Sequence, residues 1–163
     1  MMTMHEISQT LYATSISTGI RTTAGFIPTT QSIHIVAISV VVGSALVTEL
    51  RLAGVLATDE TPQTVVRRYL PWMWAAIAVL LATGAILAVG EPNRVLENPL
   101  FWTKMVLVVV AFGLTLLFRY PILHPQFRLE HARWAALVKP LAWVSLLVWI
   151  AVIFCGRWIA YAI

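Results

Sequence analysis

From Gln31 to Leu56 the chain reads QSIHIVAISVVVGSALVTELRLAGVL, and no other stretch limits so tightly what the rest can fold into. Between Ile35 and Val47 no residue is charged, and only Ser39, Gly43 and Ser44 are not plainly apolar. A bilayer core about 30 Å thick is crossed by about twenty residues of helix, a length this stretch supplies. It also carries His34 near one end and Glu49 and Arg51 near the other. Ionisable groups inside a span are costly and mark a site by default. What meets His34 at one end and Glu49 and Arg51 at the other is therefore the central question.

The remaining composition agrees with a membrane chain. It is 60% apolar and 11% charged, whereas soluble domains are about a quarter charged. Seven Trp and four Tyr, many beside apolar runs, suit the aromatic belts at bilayer interfaces. The net charge of +4 comes from basic residues at span ends rather than on one polar face, which makes it topogenic and argues against nucleic acid as a partner. A lone Cys155 allows neither an internal disulfide nor a thiolate cluster. The start, MMTMHEISQT, has no basic region followed by an apolar run, so it does not read as a secretory signal. Residues 1–27 read instead as a short helical segment lying on the membrane surface.

The expected fold is all-α, a single transmembrane domain over 1–163 with four spans at about 31–56, 71–89, 99–119 and 140–162, and a short interfacial N-terminal segment. Thr61-Pro62 and Asn98-Pro99 each place a capping residue before a proline at the first helical position. Residues 62–70 predict a short amphipathic turn, and Tyr120-Pro121 predicts the end of the third span. Pro140 starts or kinks the fourth. Ala75, Ala78, Ala82 and Ala85 share a face where another helix could approach closely. Of the eleven Lys and Arg, seven (Arg51, Arg67, Arg68, Arg119, Arg128, Arg133, Lys139) fall at the ends joined by the first and third connectors. The other four (Arg21, Arg94, Lys104, Arg157) fall at the opposite ends. Seven against four predicts both termini on the periplasmic side of a bacterial inner membrane.

That topology puts His34, Lys104 and Arg157 in one outer layer. The faces running on from them, Val41, Ala45, Thr48 and Leu52 on one helix and Val108, Ala111 and Thr115 on another, can point into a bundle. Imidazole ligates metals, and two cations can hold carboxylates such as haem propionates. The layer therefore reads as an outward-opening pocket for an anionic or metal-centred ligand. The plainer alternative is two cations snorkelling to the interface and a His bonded to a neighbouring helix. At the inner end, Glu49 and Arg51 among Arg67, Arg68 and Arg119 read as an ion-pair lock between spans, with a proton relay as the alternative. His124 and His131 in the basic connector, and Met1, Met2, Met4 and His5 at the start, are further metal-binding candidates, the second group suiting Cu(I). Trp72, Trp74, Trp134 and Trp143 read as interfacial anchors.

From Pro28 onward the segments IHIVAISVVVGSALVTELRLAGV, RRYLPWMWAAIAVLLATGAIL, NPLFWTKM and SLLVWIAVIFCGRWIAY resemble an uncharacterised family of small bacterial four-helix integral membrane proteins. More distantly, the layout is similar to HemJ-type protoporphyrinogen oxidases and to CopD-type copper membrane domains. HemJ proteins carry a His early in the first span, a basic pair with Leu before the second, and Trp-x-x-Lys at the start of the third. His34, Arg67/Arg68 with Leu70, and Trp102 with Lys104 stand at those positions, the last spacing shorter by one. The resemblance implies haem b at His34. A further His expected on the third span is replaced by Thr115, which argues against bis-His ligation. The functional expectation is a membrane redox or porphyrin-handling protein, with His34 as ligand and Lys104 and Arg157 holding an anionic group. The partners it implies are the lipid bilayer, a membrane redox partner or quinone, and further copies of itself. Copper transport through His34, Met105 and the N-terminal Met/His group is the alternative, and a structural subunit a third reading.

Overall fold

A computed structural model describes residues 3–123 and 132–159. His124, His131, Met1 and Met2 lie outside the described residues. The described chain is helical throughout and without strands: α1 Met4–Tyr12, α2 Ser15–Thr22, α3 Phe26–Ala53, α4 Pro62–Gly90, α5 Pro92–Leu96, α6 Pro99–Ile122 and α7 Ala132–Trp158. Within these, four helices are long and apolar enough to cross a membrane: α3, α4, α6 and α7. The interfacial segment is two helices rather than one. Thr3 and Glu6 cap α1 reciprocally, and Arg21 ties the pair together, its guanidinium 3.5 Å over the Tyr12 ring and bonded to the Tyr12 carbonyl at 3.0 Å.

The long helices depart from the expected bounds at their prolines. α3 begins at Phe26 because Pro28 falls in its first turn, where amide protons have no helical acceptor to lose. It ends at Gly54, whose φ of 79° lets the chain turn left-handed and close on the Arg51 and Leu50 carbonyls. Thr61 caps α4 by accepting from the Thr64 amide. The stretch expected as a separate turn is continuous with the span, and Pro71 is absorbed inside it. Pro121 and Pro140 likewise fall within α6 and α7 rather than bounding them. Each proline removes one ladder bond, a loss that membrane helices tolerate when neighbours re-satisfy the freed carbonyl. Asn98 caps α6, its Oδ1 accepting from the Leu100 amide at 2.9 Å.

α3 is the centre, packed along α4 on one side and α7 on the other; α6 packs mainly on α7 and lightly on α4. Trp74 and Phe112 make the α4–α6 touch, edge to face at 5.2 Å. One buried cluster (Val41, Ala45, Met73, Ala76, Ala111, Trp149) fills the middle. A second (Leu52, Ala53, Val66, Ile122, Val138, Ala142) fills the end where α3 and α6 finish. α1, α2 and α5 gather at the opposite end, α1 on α5 and α2 on α4. Among the described residues the alanine face of α4 is exposed at Ala75, Ala78, Ala82 and Ala85, and α3 packs on the Met73–Ala76–Thr83 side. Large apolar side chains such as Ile35, Val109, Leu147 and Phe154 also point outward, as a lipid-facing surface requires.

Candidate functional site

The bundle carries ionisable groups at two levels. At the outer level His34 of α3 faces Thr83 of α4, Nδ1 to Oγ1 at 2.7 Å. The Thr83 hydroxyl donates to the Val79 carbonyl at 2.7 Å. While that hydroxyl donates to Val79, Oγ1 can only accept from the ring, an arrangement with the imidazole proton on Nδ1 and the lone pair on Nε2. Gly84 lies beside the ring, where a Cβ would stand at ordinary contact distance, 3.5 Å from His34 Cε1. Lys104 of α6 extends over Gly156 of α7, its Nζ 3.3 Å from where a Cβ would be. Among the described residues, no carboxylate pairs with it.

Arg157 follows Gly156 on the helix, so it leaves α7 about 100° round from the Lys104 contact, and it is exposed. His34 and Lys104 stand at the same end of the bundle, His34 against α4 and Lys104 against α7, with Arg157 on the last turn of α7. Thr115, at the position of the missing second His, is buried, one turn from Arg119 and far down α6 from Lys104. Sequence reasoning missed Thr83. The available signal was its being the lone hydroxyl in an Ala-rich span.

At the inner level Glu49 and Arg119 are 1% and 2% exposed, with Arg119 Nη2 3.6 Å from Glu49 Oε1. Ser145 of α7 donates to the same oxygen at 3.0 Å, and Arg119 Nη1 turns to the sulfur of Met73 on α4. The expected lock exists, but its cation is Arg119. Arg51 instead bonds the Glu60 carbonyl at 2.8 Å, and Arg68 pairs with the Glu60 carboxylate at 2.6 Å. Among the described residues, five buried polar atoms here have no hydrogen-bond partner: Glu49 Oε2, Thr115 Oγ1, Arg119 Nε and Nη2, and Trp149 Nε1. A buried polar group left unmet costs about 1–3 kcal/mol.

Over the outer end, α1 is clamped to the segment after α5. Ser8 donates to the Glu97 carboxylate, and His5 Nδ1 lies 3.1 Å from it. The Ser8 bond holds the Glu97 carboxyl below the usual carboxylate range, with His5 adding to the effect. His5 is thus engaged with an acid, and Met4 is exposed. Among the described residues no group of three or more His, Cys, Asp or Glu could hold a metal ion. Of the expected anchors Trp72, Trp74 and Trp143 are exposed, and the Trp134 side chain lies outside the described residues.

No curated protein and no solved structure matches the chain. A family of unknown function (DUF6644) matches residues 4–162, and with nearly its whole length covered, the chain belongs to that family.

Proposed function

We propose that this integral membrane protein resides in the bacterial inner membrane with both termini periplasmic, and holds haem b or a related porphyrin at its outer end. The observation that carries the reading is the hydrogen-bond order Val79–Thr83–His34, which leaves Nε2 in the form that ligates iron. Lys104, at the same end of the bundle and without a described acid, suits a propionate. When bound, haem would supply one-electron chemistry, exchanged with a membrane redox partner or quinone. His34 would hold the iron, Thr83 would orient the ring, Lys104 would neutralise a carboxylate of the ligand, and α1–α2 cover that end of the bundle.

The test is the absorption spectrum of protein made with ample haem. A b-type band is expected, abolished or shifted by His34→Ala. Lys104→Met should weaken haem binding by about 1.5–3 kcal/mol, the scale of a hydrogen bond to a charged group. Colourless, folded protein retaining copper would favour the transport alternative instead. A structural role is the second reading, favoured by the way Glu49, Arg119 and Ser145 tie α3, α6 and α7. Colourless, metal-free protein that copurifies with a partner would support it.

A further inference from the structure

The inner polar level is sealed on both sides. Toward the membrane middle lie Val41, Ala45 and Ala111. Toward the nearer end lie Leu52, Val66, Ile122 and Val138. Between them Glu49 and Arg119 stand 3.6 Å apart, farther than a hydrogen bond reaches, at 1% and 2% exposure. A pair that served only to lock helices would close into the two-pronged contact that guanidinium and carboxylate favour. Here Arg119 divides itself between Glu49 and Met73.

The unmet atoms share one neighbourhood. Arg119 and Thr115 are one turn apart on α6, and Ser145 and Trp149 one turn apart on α7, both turns running the same way through the bundle. Arg119 Nε and Nη2 and Trp149 Nε1 are donors, Thr115 Oγ1 is both donor and acceptor, and Glu49 Oε2 accepts. A species meeting all of them must be small, accept several bonds and donate to a carboxylate. Water does this, and a buried water typically has two to four such partners.

We propose that this sealed layer holds internal water, on the order of one or two molecules, and that Glu49 binds and releases a proton through it inside the membrane. An excess proton arriving on that water as hydronium passes to Oε2: one hydronium O–H bond breaks, the carboxyl O–H bond forms, and neutral water and the neutral acid remain. The layer then changes from neutral to a single positive charge on Arg119. Of the groups that meet Glu49, Arg119 is charged and Ser145 is neutral. The other nearby charges are committed elsewhere or lie past the apolar seal: Arg51 and Arg68 on Glu60, and Lys139 beside Gly54. The inference does not depend on any group bound at His34.

Infrared spectroscopy of the full chain in lipid vesicles tests it, with water exchanged for heavy water. A neutral-carboxyl carbonyl band is expected to grow on acidification, to shift in heavy water and to be missing in Glu49→Gln. Should that variant fail to fold, Glu49→Asp should move the band in frequency instead. Thermal unfolding gives the second reading. Thr115→Val removes a donor at nearly constant shape, so it should lower Tm if water bonds to it, and raise it if the layer is dry. Absence of any Glu49-dependent band over the pH range where the helices persist overturns the proposal, as does a raised Tm in Thr115→Val.

Discussion

At the scale of single residues, Arg119 shows how an intramembrane charge is tolerated without being neutralised. Its guanidinium is almost wholly buried between four helices, and its nearest acid is not in hydrogen-bond contact. Truncating one partner of such a pair leaves the other charge buried alone, a loss of about 3–5 kcal/mol. Arg119→Met should therefore destabilise the protein by about that amount, and adding Glu49→Gln to it should recover most of the loss. Denaturant or thermal unfolding in detergent measures both. The sequence placed Glu49 correctly as an interior acid because a charge interrupts an apolar run. It could not choose among Arg51, Arg67, Arg68 and Arg119 as partner, since that choice depends on how α6 is turned as it packs on α7 and α4. Ser145 was equally invisible as a partner, although it is the one hydroxyl between Pro140 and Arg157.

At the scale of elements, the caps were readable, and with them Pro62 and Pro99 at the first helical positions; the bounds drawn at Pro71 and Pro121 were not. Thr61 and Asn98 sit where a side-chain oxygen meets an orphan amide, a local rule that sequence carries. Pro71 and Pro121 obey a local rule too, but packing in the bundle overrides it, and of the two readings of Pro140 the one inside a helix holds. The α1 clamp was illegible because Ser8 and Glu97 are joined only by the tertiary fold. Its pH response follows from Glu97. The folded carboxyl lies below its unfolded value, so the clamp contributes fully above that unfolded value, about pH 4.3. The contribution is lost as pH falls through the folded value. Acidification through that window should speed amide hydrogen exchange in residues 4–12. Glu97→Gln should already speed it at neutral pH; unchanged exchange in both cases would show that α1 is held by its apolar contacts alone.

At the scale of the whole molecule, the contacts sort the chain into two ends independently of any charge count. Residues 3–25 and 91–98 share one end with Ile159, whose carbonyl accepts from Asn98. Residues 54–61 share the other with the end of α6. The seven-to-four division of basic residues then predicts which end faces out. In a Cys155→Ser background, Ala24→Cys should react with an impermeant thiol reagent in intact cells and Thr58→Cys should not. The opposite labelling would put the His34 level at the cytoplasmic side. The two-ended arrangement also sets an order of assembly. The Ser8–Glu97 contact joins residues 89 apart in sequence, with two complete spans between them. α1 can seat itself only after the second span has re-crossed and the third has begun, so the cover closes late, over a bundle already half built. A nascent chain stopped after α4 would expose the outer end of its first helix pair, His34 with it, to whatever loads that end.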